Sequence, residues 1–475
     1  MGMILNAMKP LFHLLPEVKM PERPPTVKDR IFWVVAGLLI YFIMFNVPAF
    51  GVISAQSSGF EFLEVITASK IGSLLTIGIG PIVMASIFLQ LFNGAGLLKF
   101  NMQDPEDRKM FFSLQKLCAI LLAFFEAYMF VGFGRVPTVP GMMWLVVFQV
   151  SLGSIILLYL DEVISKYGIG SGISLFIAAG VSFSVIAGVY YLVVSPGGVM
   201  EILASGGSDA LTRALLKLTP LYFTILVFVV VVYAEGMKIE IPLAFDMARG
   251  AAGRLPIKFF YVSNIPVILT SALMLNITLF ATMIPIHQQD QPIGALQYFA
   301  YVQQQELGPR LEDGFLYLIM PKTPAYGVDF FSFVKNDVIG RSSPVFHIPE
   351  IIHIIIYAII YILACILFGI FWTETANMGP KAVSEQLANS GLMIPGYRRD
   401  PRMIEKMLTK YLPVVVILGS AFVGILAVSA DLTGALGTGT GILLTVSILA
   451  RFYEQFQSMN VFEMYPVMGT IFGKK

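Results

Sequence analysis

The sequence predicts an all-α polytopic membrane protein with ten transmembrane helices in two inverted five-helix halves. Three observations predict it: an apolar composition, ten apolar windows of spanning length, and two glycine- or proline-bearing patterns that recur five windows apart.

Composition comes first. Of 475 residues, 57% are hydrophobic and 13% are charged, where a soluble domain carries about 25% charged residues. A water-soluble chain cannot hide that much apolar surface in its own core, so the bilayer is part of the solvent. Cys118 and Cys365 sit in apolar runs and read as buried free thiols, with no disulfide framework. His13, His287, His347 and His353 have no ligand spacing with Cys or Asp, so no metal site is expected. The sequence has no phosphate-cradling loop with its lysine and no zinc-protease or catalytic-triad pattern. Neither a cofactor nor an enzymatic activity is expected. If energy is used, a partner supplies it.

A spanning helix needs about 20 mostly apolar residues. Nine windows lack Asp, Glu, Lys and Arg: 31–60, 71–98, 136–160, 167–200, 218–234, 259–289, 351–373, 411–430 and 432–450. A tenth, 117–134, carries one charge, Glu126. The first 30 residues hold Lys9, Lys19, Arg23, Lys28 and Arg30 among several prolines. They do not read as a cleavable signal; residues 1–20 read as an interfacial helix.

With the N-terminus in the cytoplasm, 23 of the 31 Lys and Arg fall on cytoplasmic segments and eight on outer ones. Four of those eight lie in one long segment, 290–350, which the positive-inside rule weighs poorly. Both termini are therefore expected in the cytoplasm, with the loops 235–258 and 374–410. The segment 290–350 is the one large outer segment, and its Asp, Gly, Pro and Tyr content predicts ordered irregular structure.

Two patterns suggest a repeat. Gly168-Ile169-Gly170-Ser171-Gly172-Ile173-Ser174 opens the fifth window, and Gly437-Thr438-Gly439-Thr440-Gly441-Ile442-Leu443 opens the tenth. Ile79-Gly80-Pro81-Ile82-Val83 in the second resembles Asn264-Ile265-Pro266-Val267-Ile268 in the seventh. An odd number of crossings reverses direction, so such halves would be inverted, with a pathway between them. Glycine and proline are also simply common in membrane helices, and that reading stays open from the patterns alone.

Gln56-Ser57-Ser58-Gly59 breaks the apolar pattern after the first window. Residues 60–68, with Glu61 and Glu64, could form two helical turns; Ile71-Gly72-Ser73 follows, and the second span begins. Two acids on a short helix cannot face lipid, so it lies in an aqueous outer cavity or as a surface re-entrant turn. Glu126 is mid-span, and an intramembrane acid faces a cavity or a polar partner; Asn276 is a plausible partner. One acid is too few for a proton relay or a coupled-ion site, which weakens the alternative of a small-solute secondary transporter. The absence of catalytic pairs weakens that of an intramembrane enzyme. The turn Pro395-Gly396-Tyr397-Arg398-Arg399-Asp400-Pro401-Arg402 presents three arginines. They suit ribosomal RNA or an acidic partner, or are ordinary positive-inside charge.

These residues together resemble the SecY family, channel subunits of the Sec translocon, in its archaeal and eukaryotic branch. The carriers are Ile66-Thr67-Ala68-Ser69-Lys70-Ile71-Gly72 leading to Gly78-Ile79-Gly80-Pro81-Ile82-Val83, then Gly170-Ser171-Gly172-Ile173-Ser174, Tyr261 through Leu269, Gly437 through Leu444, and Arg451-Phe452-Tyr453-Glu454-Gln455. The resemblance implies an N-terminal amphipathic segment (1–30), a first half (31–194), a hinge (195–213), a second half (214–456) and a cytoplasmic tail (457–475). It implies a passive channel that moves unfolded polypeptides across the membrane and releases membrane helices sideways into lipid.

The same resemblance assigns residues. Ile79, Val83, Ile173, Ile177, Ile268 and Leu444 fall on the pore ring. Glu61, Phe62, Leu63, Glu64, Val65 and Ile66 fall on the plug, which runs over about 61–70. Glu126 and Asn276 fall on the polar cluster of a lateral gate formed by the second and third spans opposite the seventh and eighth. Met84 stands where the family often has a hydroxyl residue. Arg398 matches the docking arginine for a ribosome or motor, and Arg399, Arg249 and Arg254 are assigned to the same surface. Implied partners are a single-span gamma subunit, a beta subunit, the ribosome with a nascent polypeptide and its signal sequence, ribosomal RNA, and membrane lipid.

The charge bias makes a topology prediction. A reporter fused after Gly396 is expected in the cytoplasm and one near Tyr326 outside; the same side for both would refute ten crossings.

Overall fold

An apolar stretch in lipid can satisfy its backbone only within itself, so it becomes a helix. The structure is a computed structural model that describes residues 16–23, 25–53, 64, 67–94, 96–98, 100, 104–133, 136–207, 209–245, 252–262, 265–281, 294–305, 308–324, 330–376, 378–389, 392–393 and 401–458. A helix overlies each of the ten windows. Spans 1 to 5 are Val27–Asn46, Gly80–Gly94, Pro105–Gly132, Met143–Tyr167 and Gly172–Val194. Spans 6 to 10 are Thr219–Gly236, Ile265–Ala281, Glu350–Thr375, Pro401–Leu432 and Gly439–Ser458. Spans 3, 4, 5, 6, 8 and 9 have the length and hydropathy of a crossing by themselves. Span 1 carries charges in its first turn and span 10 in its later turns, while spans 2 and 7 run only 15 and 17 described residues.

Spans 3, 4 and 9 reach well past their apolar windows. Span 3 starts at Pro105, whose missing N–H costs nothing in a first turn, with the Asp104 carboxylate accepting from the Glu106 N–H. Some charges on these extensions pair between spans: Glu162 of span 4 accepts from Lys116 of span 3 at 2.6 Å and from its own Lys166 at 2.8 Å. The described part of the expected interfacial helix, residues 16–20, is not helical. Pro16, Pro21 and the prolines beyond remove backbone donors. The Val18 and Lys19 carbonyls instead accept from Lys166 Nζ and the Tyr167 hydroxyl, so this segment lies on the end of span 4.

Span 2 departs most from the expectation. Its helix begins at Gly80, not near Ser73. Residues 67–79 form successive turns that are buried inside the protein except at the exposed Lys70 and the half-buried Leu74. Fifteen helical residues rise only ~22 Å against a hydrocarbon thickness of ~30 Å, and the turns occupy part of the remaining depth. Such backbone is tolerated at depth only where protein satisfies it. Here the Ile79 N–H reaches the Thr67 carbonyl at 2.8 Å, Leu74 N–H reaches Val47, and Ala49 N–H reaches Gly72. Hydroxyls complete the pairing. Tyr41 of span 1 donates to the Ala68 carbonyl at 3.1 Å, Ser154 of span 4 donates to the Gly78 carbonyl at 2.7 Å, and Thr76 accepts from the Gly72 N–H.

The loops are ordered where described. Strands β1 (Lys238–Phe245) and β2 (Ala252–Lys258) form an antiparallel hairpin between spans 6 and 7. In the segment between spans 7 and 8, β3 (Tyr301–Gln305) pairs with β4 (Gly308–Asp313). The buried Asp313 carboxylate there accepts from the N–H groups of Gly314, Val345 and Phe346. The same segment is fastened to the head of span 8. Glu350 contacts His353 at 3.0 Å and accepts from the Tyr317 hydroxyl at 3.1 Å, with Lys322 at 3.4 Å. Between spans 8 and 9, β5 (Leu392–Met393) joins the free edge of β1, so the two loops between spans 6–7 and 8–9 share one sheet.

Two main cores fill the protein, the first of them shared with Leu444 and Ile448 of span 10. Spans 1 to 5 pack around Tyr41, Leu75, Leu157 and Phe176; spans 6 to 10 pack around Val231, Tyr357, Tyr361 and Leu443. The halves meet where span 2 packs on spans 7 and 8, and where span 5 packs on span 10.

Gly78 has φ +52°, and a Cβ there would stand 2.0 Å from the Thr67 carbonyl oxygen. Positive φ alone costs a residue with a side chain about 1–2 kcal/mol, and the clash adds to it. Gly78→Ala is expected to destabilise the protein by more than about 3 kcal/mol, seen as earlier exposure of the buried Cys365 thiol on heating. Gly207→Ala, where an added methyl meets nothing within 4 Å, is expected to leave that transition unchanged.

Candidate functional site

Six aliphatic positions singled out above lie in or against a single apolar cluster. Ile79, Ile177 and Leu444 are buried in it, and Val83, Ile173 and Ile268 pack on it half-buried. All six stand at or near helix starts. Ile79 directly precedes span 2 and Val83 is in its first turn. Ile173 and Ile177 lie one turn apart on span 5, so both point the same way. Ile268 is in the first turn of span 7, and Leu444 is the sixth residue of span 10. The two helix starts matched as repeats are alike in detail, with Pro81 and Pro266 each the second residue of a helix. That position suits proline, which lacks the N–H that would go unpaired there. Two helices from each half thus bring short, non-polar side chains to one place.

The segment assigned to the plug borders this cluster. Of the six residues assigned to it by number, Glu64 is the one described; its carboxylate accepts from the Ile71 N–H at 2.7 Å and its carbonyl from the Ser69 N–H at 2.8 Å. Glu61, Phe62, Leu63, Val65 and Ile66 lie outside the described residues.

Glu126 is buried on span 3. Its Oε2 lies 3.1 Å from where a Cβ on Gly80 would stand. Glycine at the first residue of span 2 therefore leaves room for the carboxyl beside the start of that helix. Asn276 is on span 7, and its side chain lies outside the described residues. Met84 is buried between the halves with Ile87, Leu269 and Ala272, and Phe368 and Trp372 of span 8 pack on them. The seam there is apolar. A single described hydroxyl pair, Ser271 Oγ to Tyr361 Oη at 2.8 Å, ties span 7 to span 8 within the second half.

Of the basic residues, Arg254 lies on β2 opposite Pro242, and its side chain lies outside the described residues. Arg249, Arg398 and Arg399 lie outside them altogether. Pairing of β5 with β1 does bring the two basic loops together. Among the described residues, no group of His, Cys, Asp and Glu is placed to hold a metal ion.

Reading the sequence missed the groups that hold the helix starts: Tyr41, Thr67 and Ser154 around span 2, Asp161 before span 5 and Asp431 before span 10. For the two aspartates a signal existed. Each precedes one of the glycine-rich starts by about a dozen residues or fewer.

The chain as a whole is similar to known proteins. The SecY family model matches residues 73–453. The Protein translocase subunit SecY of Methanocaldococcus jannaschii is 41% identical over 98% of this chain and 99% of its own length. That of Methanothermobacter thermautotrophicus is 38% identical over the whole of both. Among solved structures, one described as the structure of a protein conducting channel superposes with a TM-score of 0.76 at 39% identity, covering 97% of this chain and 98% of that one. Sec61 in the canine ribosome-channel complex from the endoplasmic reticulum superposes with a TM-score of 0.73 at 38% identity, with the same coverage.

Proposed function

This chain belongs to the SecY family, and we propose that it conducts unfolded polypeptides through a pore closed by Ile79, Val83, Ile173, Ile177, Ile268 and Leu444. One observation carries the reading: these side chains, drawn from four helix starts and from both halves, share one apolar cluster. Aliphatic groups offer no hydrogen bond to a passing chain, so diverse sequences slide by without sticking. Water entering a narrow apolar constriction loses hydrogen bonds, so the closed ring dewets and resists ions. The segment 61–70 acts as a plug above it.

Sideways release follows from the seam. Met84 and Ile87 meet Leu269 and Ala272 through apolar contacts. An incoming apolar helix can replace such contacts with similar ones, so parting span 2 from spans 7 and 8 costs little once a signal sequence is present. Glu126 stands beside the start of span 2, and we assign it, with Asn276 of span 7, to the polar cluster of the gate. The hinge, 195–213, contains the short helix Val199–Ala204 and the start of a second, Ala210–Lys217, around Gly206-Gly207; this is the flexible connection on which the halves part.

The channel is passive and has no catalytic residue. It sits in the cell membrane, or the endoplasmic reticulum membrane of a eukaryote, with both termini in the cytoplasm. A gamma subunit clamps the halves and a beta subunit accompanies it. The ribosome docks on the sheet-linked cytoplasmic loops through Arg398 and Arg399 with Arg249 and Arg254, which touch ribosomal RNA.

Replacing Ile79 and Ile268 together with serine is expected to wet the constriction. Vesicles holding the variant with its gamma subunit should leak ions faster and pass substrates with poor signal sequences, while two lipid-facing isoleucines changed alike should do neither. An assembled variant as ion-tight and signal-selective as the parent would refute the ring. Arg398→Glu is expected to weaken ribosome binding at physiological salt without unfolding the chain, since exposed loop changes cost little stability. Unchanged affinity would remove that arginine from the docking surface.

A further inference from the structure

Two of the four helices that supply the ring have a carboxylate of the preceding span at their start; span 10 also has its own cap, the Thr438 Oγ1 accepting from the Gly441 N–H at 3.1 Å. Span 5 opens at Gly172 with no hydrogen bond from its own cap residue's side chain. Asp161, from the last two turns of span 4, serves instead: its Oδ1 accepts from the Ile173 N–H at 2.9 Å and from the Ser171 hydroxyl at 3.2 Å. Ile173 is itself a ring residue. At the other end of the repeat, Asp431 sits one residue before the end of span 9, and its Oδ1 accepts from the Gly439 N–H at 3.0 Å, the first residue of span 10. Leu444 follows five residues later. Asp431 is buried, and a Cβ on Gly172 would stand 2.6 Å from the Asp161 Cα, so the backbone near Asp161 abuts the start of span 5.

Each helix start would otherwise bury unpaired N–H groups. A neutral serine, threonine or water could pair them. What an acceptor on the preceding span adds is a bond that ties the start to a different helix and so sets its height. One turn of axial slip moves a side chain by ~5.4 Å, enough to take Ile173 or Leu444 out of a ring only a few side chains wide.

We propose that Asp161 and Asp431 are a matched pair of positioning residues, one in each half, that set the axial height of Ile173 and Leu444 and thereby hold the ring shut. The proposal deepens the pore reading and rests on it. The best-formed bonds of the two aspartates differ in register, Asp161 to the second residue of its helix and Asp431 to the first, while each carboxylate faces the N–H groups of both residues. Their likeness is in role and in place along the repeat.

The test uses the chain assembled with its gamma subunit in sealed vesicles. Asp161→Ala and Asp431→Ala are each expected to raise closed-channel ion leak roughly tenfold, the factor that about 1.4 kcal/mol of lost bonding yields. Each should also pass a precursor whose signal sequence is defective. Asp161→Asn and Asp431→Asn keep a side-chain oxygen acceptor and are expected to stay near the parent. Asp104→Ala removes a cap from span 3, which carries no ring residue, and is expected to leave leak unchanged. Alanine variants as tight as the parent, asparagine variants as leaky as alanine, or equal leak from Asp104→Ala would each overturn the proposal. Should an alanine variant not assemble, the glutamate variant at that position decides: it keeps the charge but lengthens the reach, so leak is expected and parental tightness refutes. The Ile79, Ile268 double serine variant runs alongside. If it leaks and the aspartate variants do not, this inference fails alone; if it too is tight, the ring reading fails.

Discussion

Every backbone polar group held away from water must find a partner inside the protein, and the structure turns on the places where a helix cannot supply one. The turns at 67–79 are the clearest case. They lie largely buried, and their N–H and C=O groups are paired by Val47 and Ala49, by the Tyr41 and Ser154 hydroxyls, and by Thr67, Ser73 and Thr76 within the segment. Spans 1 and 4 are therefore as much a part of span 2's entrance as span 2 is. An unpaired group in such a place costs about 1–3 kcal/mol, so the arrangement is hard to alter piecemeal.

That constraint explains why the aliphatic cluster is assembled from helix starts. A continuous helix would place the same side chains along a wall. A helix that begins inside the protein, after glycine or at a first-turn proline, can bring a short side chain inward at its first or second turn. Four such beginnings, two from each half, converge on Ile79, Val83, Ile173, Ile177, Ile268 and Leu444. Rigid packing surrounds them on the side of spans 1, 4 and 5. The opposite seam, along Met84, Ile87, Leu269 and Ala272, is joined by apolar contact.

The parts outside the span helices follow the same division of labour. The segment between spans 7 and 8 is fastened by the buried Asp313 and by the Glu350, His353, Tyr317 and Lys322 network, so it travels with span 8. The loops between spans 6–7 and 8–9 are joined into one sheet. Both ties lie within the second half and do not cross the seam. Lys258 of β2 pairs with Glu454 of span 10 at 2.6 Å, which adds the end of span 10 to the same body.

Ten spans and the recurrence of the Gly80-Pro81 and glycine-rich starts were legible in the sequence, because hydropathy acts on each segment separately and needs no partner. The resemblance to a family could name six aliphatic residues, yet nothing in an isoleucine's own neighbourhood distinguishes a pore from a core. The tertiary structure alone decided where span 2 begins, since an apolar run such as 71–79 reads as helix until the partners for a non-helical backbone are known. It alone showed that the stretch at 16–20 is no helix but lies on Lys166 and Tyr167. It also decided that Asp161 and Asp431, which read as ordinary charges at the ends of apolar windows, reach into the starts of the next helices. The physical reason is common to all three. Hydrophobic burial is non-directional and adds up along a sequence, whereas a hydrogen bond depends on where two distant atoms finally stand.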